Sequence, residues 1–118
     1  MGSLSTHVLD TANGCPAANI LIELIQLGPE GSRTLLTSMR TNADGRTTAP
    51  LLAGETFGGG SYELVFHVGE YFRGRGIIAA EPPFLDLVPV RFQIPERPQH
   101  YHIPLLVSPF SYTTYRGS

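Results

Sequence analysis

Apolar and polar residues alternate with a period of two along most of this chain, in short stretches broken by glycine- and proline-bearing turns. That period sends successive side chains to opposite faces of an extended segment, so each stretch has one face for a core. Ser61 to Val68 sets Tyr62, Leu64, Phe66 and Val68 against Ser61, Glu63 and His67. Leu85 to Ile94 places Val88, Val90, Phe92 and Ile94 together, and Pro89 within it predicts an edge position or a bulge. His100 to Val107 sets Tyr101, Ile103, Leu105 and Val107 against His100, His102, Pro104 and Leu106. Leu4 to Asp10 and Leu35 to Thr41 read as further strands, and Thr113 to Arg116 as a short last one. Ile20 to Leu27 is apolar on both faces, which predicts cover on both, most simply by a second subunit.

The punctuation agrees. Asn13-Gly14 and Gly28-Pro29-Glu30-Gly31 mark turns, and Asn42-Ala43-Asp44-Gly45 is a hairpin signal. Leu51 to Gly60 reads as loop, and Gly69 to Gly76 holds the one expected helix. Thirteen Gly and ten Pro without a repeat period fit many turns between short strands. About seven or eight strands with turns every ~8–12 residues make an all-β sandwich. At 118 residues, the chain is expected to be a single domain spanning 1–118.

Composition removes several function classes. The net charge is −2 and the eight basic residues are scattered, so no basic stripe for nucleic acid exists. No apolar run approaches the roughly 20 residues of a membrane-spanning helix. The N-terminus lacks a basic region followed by an apolar stretch, and the C-terminus is not a Ser-Lys-Leu address. A cytoplasmic location is the expectation, with peroxisomal and periplasmic locations left open. Cys15, the single cysteine, rules out an internal disulfide and a cysteine-based zinc site.

The polar residues offer few routes to chemistry. His100 and His102 share the face opposite the apolar set, where two imidazoles either work as acid and base or form a solvated pair. His7 shares its face with Ser5 and Leu9, and a lone strand histidine is more often structural; His67 is read as structural. Arg46 follows Asp44-Gly45 directly, and a hairpin tip puts its guanidinium at one end of the sandwich, where the planar fork suits a planar, anionic or carbonyl-rich ligand or belongs to an exposed turn. His7, His100 and His102 are enough ligands for a zinc site but not a distinctive set. No Gly-x-Ser-x-Gly elbow and no phosphate cradle is present, since Gly58-Gly59-Gly60 lacks the following Lys and helix.

Three segments together resemble 5-hydroxyisourate hydrolases. They are Leu4-Ser5-Thr6-His7-Val8-Leu9-Asp10-Thr11 with Gly14 and Pro16-Ala17; Thr41-Asn42-Ala43-Asp44-Gly45-Arg46; and His100-Tyr101-His102-Ile103-Pro104-Leu105-Leu106-Val107-Ser108-Pro109 running to Tyr115-Arg116-Gly117-Ser118. Tyr62-Glu63-Leu64 and Gly69-Glu70-Tyr71-Phe72 match between them, so the likeness runs almost end to end. The Tyr-Arg-Gly-Ser ending and the histidines separate it from transthyretins, the carriers of the same fold. The resemblance implies a transthyretin-like sandwich of two four-stranded sheets with one short helix, assembled as a homotetramer, a dimer of dimers. It implies metal-free and cofactor-free hydrolysis of 5-hydroxyisourate, a small molecule of urate breakdown, to 2-oxo-4-hydroxy-4-carboxy-5-ureidoimidazoline. His7, Arg46 and His102 carry over as catalytic positions, and His100, Tyr115, Arg116, Gly117 and Ser118 as substrate-binding ones. A small-ligand carrier or a scaffold protein is the alternative.

Overall fold

The computed structural model describes residues 2–54, 57–77, 81–96 and 99–117. Among the described residues, nine strands and one short α-helix follow in the order β1 (Ser3–Asp10), β2 (Cys15–Pro16), β3 (Leu21–Leu27), β4 (Arg33–Arg40), β5 (Leu52–Ala53), β6 (Gly60–His67), α1 (Val68–Gly74), β7 (Leu87–Ile94), β8 (His100–Val107) and β9 (Tyr112–Thr114), with a single 3-10 turn at Pro29–Gly31 between β3 and β4. One sheet runs β2-β1-β8-β9, with the two-residue β5 as a fifth member pairing β1; the other runs β4-β3-β6-β7. The two-sheet sandwich expected from the alternation is present. The segment read as loop contributes one small strand, because Leu52 and Ala53 pair with Leu4 and Ser3.

The core lies where the alternation put it. Leu4 and Val8 of β1, Ile22 and Leu24 of β3, Leu64 and Phe66 of β6, and Leu105 and Val107 of β8 are fully sealed from solvent. Pro89 sits on β7, an edge strand, where its missing N–H costs no ladder bond. The outward side of β6 departs from the simple polar reading. Glu63 is buried there, with Arg33 of β4 at 2.7 Å, reaching across β3, and Arg91 of β7 at 3.2 Å closing over it. The Arg33 hydrogen bond, against the opposing pull of burial, holds the Glu63 carboxyl below the usual carboxylate range, with Arg91 adding to it. Ile25 lies opposite Glu63 in the ladder, so part of the second apolar face of β3 is covered from within the chain.

Two features fix the strand that matters most, β1. Its last residue, Asp10, is fully buried and accepts from the Asn13 backbone and side chain and from the Tyr71 hydroxyl of α1. Burial alone would raise this carboxyl; the donors from Asn13, Tyr71 and Ala12 outweigh it and hold it low. The second feature is the Asn42–Gly45 turn, and it corrects the hairpin expectation. It joins β4 of one sheet to a segment that crosses to the other sheet, where Arg46 pairs with His7 of β1. Asn42 organises it: its Oδ1 accepts from the amides of Asp44 and Arg46. Such an Asx turn forms whether its flanks pair with each other or part company, so the local signal does not specify a hairpin. Gly45 has φ +75°, and a Cβ there would meet the Val8 carbonyl oxygen at 2.5 Å. Only glycine lets the turn dock on β1, where Val8 N–H donates to Gly45 O at 2.9 Å.

Candidate active site on the outer face of β1 and β8

β1 and β8 pair in parallel over their full length, with Ser3 opposite His100, Ser5 opposite His102 and His7 opposite Pro104. Paired residues share a face, so Ser3, Ser5, His7, His100 and His102 all project outward, away from the core. Flanking chains extend the row on both sides. Arg46 pairs antiparallel with His7 on one side, and Gly117 pairs antiparallel with His102 on the other. Residues from four separate places in the sequence thus meet on one open sheet face. The sequence expectation for Arg46 placed it at one end of the sandwich; the docked turn brings it to the side of His7.

His102 is held from several directions. Ser5 Oγ and His102 Nδ1 lie 2.8 Å apart, a hydrogen bond whose donor follows the imidazole tautomer. Gly117 N–H donates to the His102 carbonyl at 2.7 Å. A Cβ on Gly117 would stand 2.8 Å from His102 Cδ2, so the absent side chain lets the C-terminal segment lie against the ring. Burial first, then the charges of Arg46, His7 and His100, push the His102 imidazole below its ordinary value. That shift favours the neutral imidazole, the form whose lone pair can take a proton.

His100 repeats the pattern one pair earlier. Its Nδ1 lies 2.6 Å from Ser3 Oγ, and its ring is nearly parallel to that of His102, 6.5 Å away and 12° inclined. It is more exposed than His102 and stands at the margin of the row. His67 is apart from the site, bonded to Glu23 Oε1 at 2.7 Å on the other sheet. A shallow, open depression of about 200 Å³ is lined by Ser5, Arg46, Thr47, Ala49 and Pro50.

The C-terminal residues divide. Gly117 lies against His102, but its amide is committed to the His102 carbonyl rather than free for a ligand. The Arg116 guanidinium turns to the sandwich edge, 4.4 Å above the Tyr101 ring and bonded to Gln99 Oε1 at 3.2 Å. Tyr101 faces the core side, so Arg116 clamps the segment from the side opposite the imidazoles. Tyr115 is exposed and joins Arg116 along an apolar groove with Val90, Phe92 and Ile103. Ser118 lies outside the described residues. Ser3 and Ser5 were not among the residues the sequence singled out as functional. Their Ser-x-Ser-x-His spacing against His-x-His is the signal that could have found them, once the two segments are taken as parallel neighbours.

A two-sheet sandwich carrying histidines and an arginine on one open face is a transthyretin-type fold equipped for polar chemistry. The family described as HIUase/Transthyretin matches residues 4–117, and the chain belongs to it. It is 58% identical over 118 residues to the 5-hydroxyisourate hydrolase of Mesorhizobium japonicum, an alignment covering 99% of this chain and 93% of that one. It is similar to a crystal structure of (S)-allantoin synthase, with a TM-score of 0.92 at 49% identity, covering 99% of this chain but 44% of that one. Against Klebsiella pneumoniae 5-hydroxyisourate hydrolase the TM-score is 0.81 at 34% identity, with 100% of both chains covered.

Proposed function

We propose that this chain hydrolyses 5-hydroxyisourate to 2-oxo-4-hydroxy-4-carboxy-5-ureidoimidazoline, using water activated by histidine without a metal. The observation that carries this reading is the row Arg46, His7, His102 and Gly117 across one sheet face. Full-length relatives that carry the hydrolase name support it.

The reaction adds water across the ring amide: hydroxide bonds the carbonyl carbon, the C–N bond breaks, and the nitrogen leaves with a proton. His7 and His102 hold the water, and a neutral His102 accepts its proton. Arg46 directs its planar fork at the carbonyl oxygen, where negative charge develops in the transition state. The protonated imidazole then returns its proton to the leaving nitrogen. His100 falls at the rim, where it borders a bound ring, while Tyr115, Arg116 and Gly117 act by fixing the C-terminal segment.

The assembly proposed is a homotetramer, a dimer of dimers, in which this open face is covered by another copy. Exposed apolar side chains, among them Leu35, Leu87, Phe110, Tyr112 and Tyr115, support association. The test is the ultraviolet decay of freshly generated 5-hydroxyisourate with and without the protein. Acceleration in proportion to protein concentration is expected, and decay at the uncatalysed rate would leave a carrier or scaffold.

A further inference from the structure

We propose that Ser5 is a positioning residue that fixes His102 in the tautomer with hydrogen on Nδ1, leaving Nε2 as the atom that takes the proton from water. This rests on His102 acting as the base in the hydrolysis proposed above. The ring has two usable nitrogens, and which one is protonated depends on what the other is bonded to. Here Nδ1 is engaged by Ser5 Oγ at 2.8 Å. The opposite edge of the ring, at Cδ2, is flanked by the Gly117 backbone closely enough that no Cβ fits between them. Ser5 on one edge and the C-terminal segment on the other therefore hold the ring orientation, and Nε2 and Cε1 are directed away from both.

A serine hydroxyl can donate or accept, so it fits either tautomer; the chemistry chooses. A base at Nε2 needs its lone pair there, which puts the hydrogen on Nδ1 and makes Ser5 Oγ the acceptor. The platform under this pair is stiff. Ser5 and His102 are directly opposite in the parallel ladder, and one step further on, on the inner face, Thr6 Oγ1 donates to the Ile103 carbonyl at 2.7 Å. Two side-chain ties in successive register positions bind β1 to β8 where the imidazole must not wander. Among the described residues, Ser5 Oγ bonds to His102 only.

The test uses the full chain with ¹⁵N-labelled histidine, at a pH where His102 is neutral. The expected spectrum shows His102 with a protonated Nδ1 and an unprotonated Nε2. In Ser5→Ala, kcat should fall about ten- to a hundredfold, as for a ring displaced by about 0.5–1 Å from its working position, with KM within twofold. Its His102 signals should move toward the Nε2-protonated form, while mass and melting temperature stay unchanged. Ser5→Thr keeps the hydroxyl on a strand-compatible side chain and should restore most of the rate and the original spectrum. The proposal is overturned if wild-type His102 carries its hydrogen on Nε2, if Ser5→Ala keeps kcat within twofold, or if it changes KM alone. His102→Ala separates this from the hydrolytic reading: full turnover there removes His102 as the base, whereas the spectrum alone decides whether Ser5 sets the ring.

Discussion

Replacing Gly117 by alanine tests the C-terminal contact with the least disturbance to the rest of the molecule. The added methyl would lie 2.8 Å from His102 Cδ2, 3.4 Å from its carbonyl oxygen and 3.5 Å from its Cβ. Gly117 has no left-handed φ, so alanine meets no backbone strain, and the whole effect falls on the imidazole contact. Ordinary van der Waals contact begins at 3.4 Å, so ring or tail must retreat. Misplacement by 1 Å costs about 10²-fold in a well-oriented reaction, so a retreat of about 0.6 Å should lower kcat roughly ten- to twentyfold. Gly117 is not part of the hydrophobic core cluster, so melting temperature should hold. Initial rates of 5-hydroxyisourate decay, with mass and melting temperature on the same samples, measure this. Turnover within twofold of wild type, with an unchanged melting temperature, would refute any role for the tail in placing His102.

Arg46→Lys keeps the charge and loses the planar fork, so its kcat should approach that of Arg46→Ala rather than wild type. For pH, the depressed His102 predicts an acid limb of kcat/KM with its midpoint below the ordinary imidazole value of about 6.5. An NMR titration of His102 in Arg46→Ala should then move upward, because a repelling positive charge is gone. The same depression makes stability fall as pH drops below that ordinary value, since the unfolded imidazole binds the proton more readily. Glu63→Gln removes the charged acceptor shared by Arg33 and Arg91; both arginines can reach water, so denaturant unfolding should show a loss of about 1–3 kcal/mol with kcat unchanged. Exhaustive chelation should leave turnover intact, and loss of activity restored by zinc would replace the histidine–water mechanism.

The strands were legible because each advertises itself locally. Tyr62, Leu64 and Phe66 alternate against polar neighbours, Pro89 marks its strand as an edge, and the one helix falls in the segment expected for it. What alternation cannot carry is which strands meet. Ser5 and His102 are 97 residues apart, and their partnership exists only because β1 and β8 run parallel. Arg46 illustrates the same limit: Asn42–Gly45 specifies a turn, but the Gly45 contact with Val8 decides that the chain crosses to β1. Glu63 shows a third case, a polar-face residue buried by arginines from strands on either side, which pattern alone assigns to solvent. The site residues were named through the family resemblance, and the ladder register brings His7, Arg46 and His102 onto one face.

Turnover of freshly generated 5-hydroxyisourate by the wild-type chain beside His7→Ala, Arg46→Ala and His102→Ala puts the site to its most direct test. Rates are expressed per folded assembly, with mass and melting temperature checked on each sample. His102→Ala removes a base on an outward sheet face, so the fold should survive while the usual contribution of about 10²–10⁴ leaves kcat. Rapid decay with the wild-type chain and losses in all three variants at unchanged melting temperature is the expected result. Turnover within twofold of wild type in all three would contradict it.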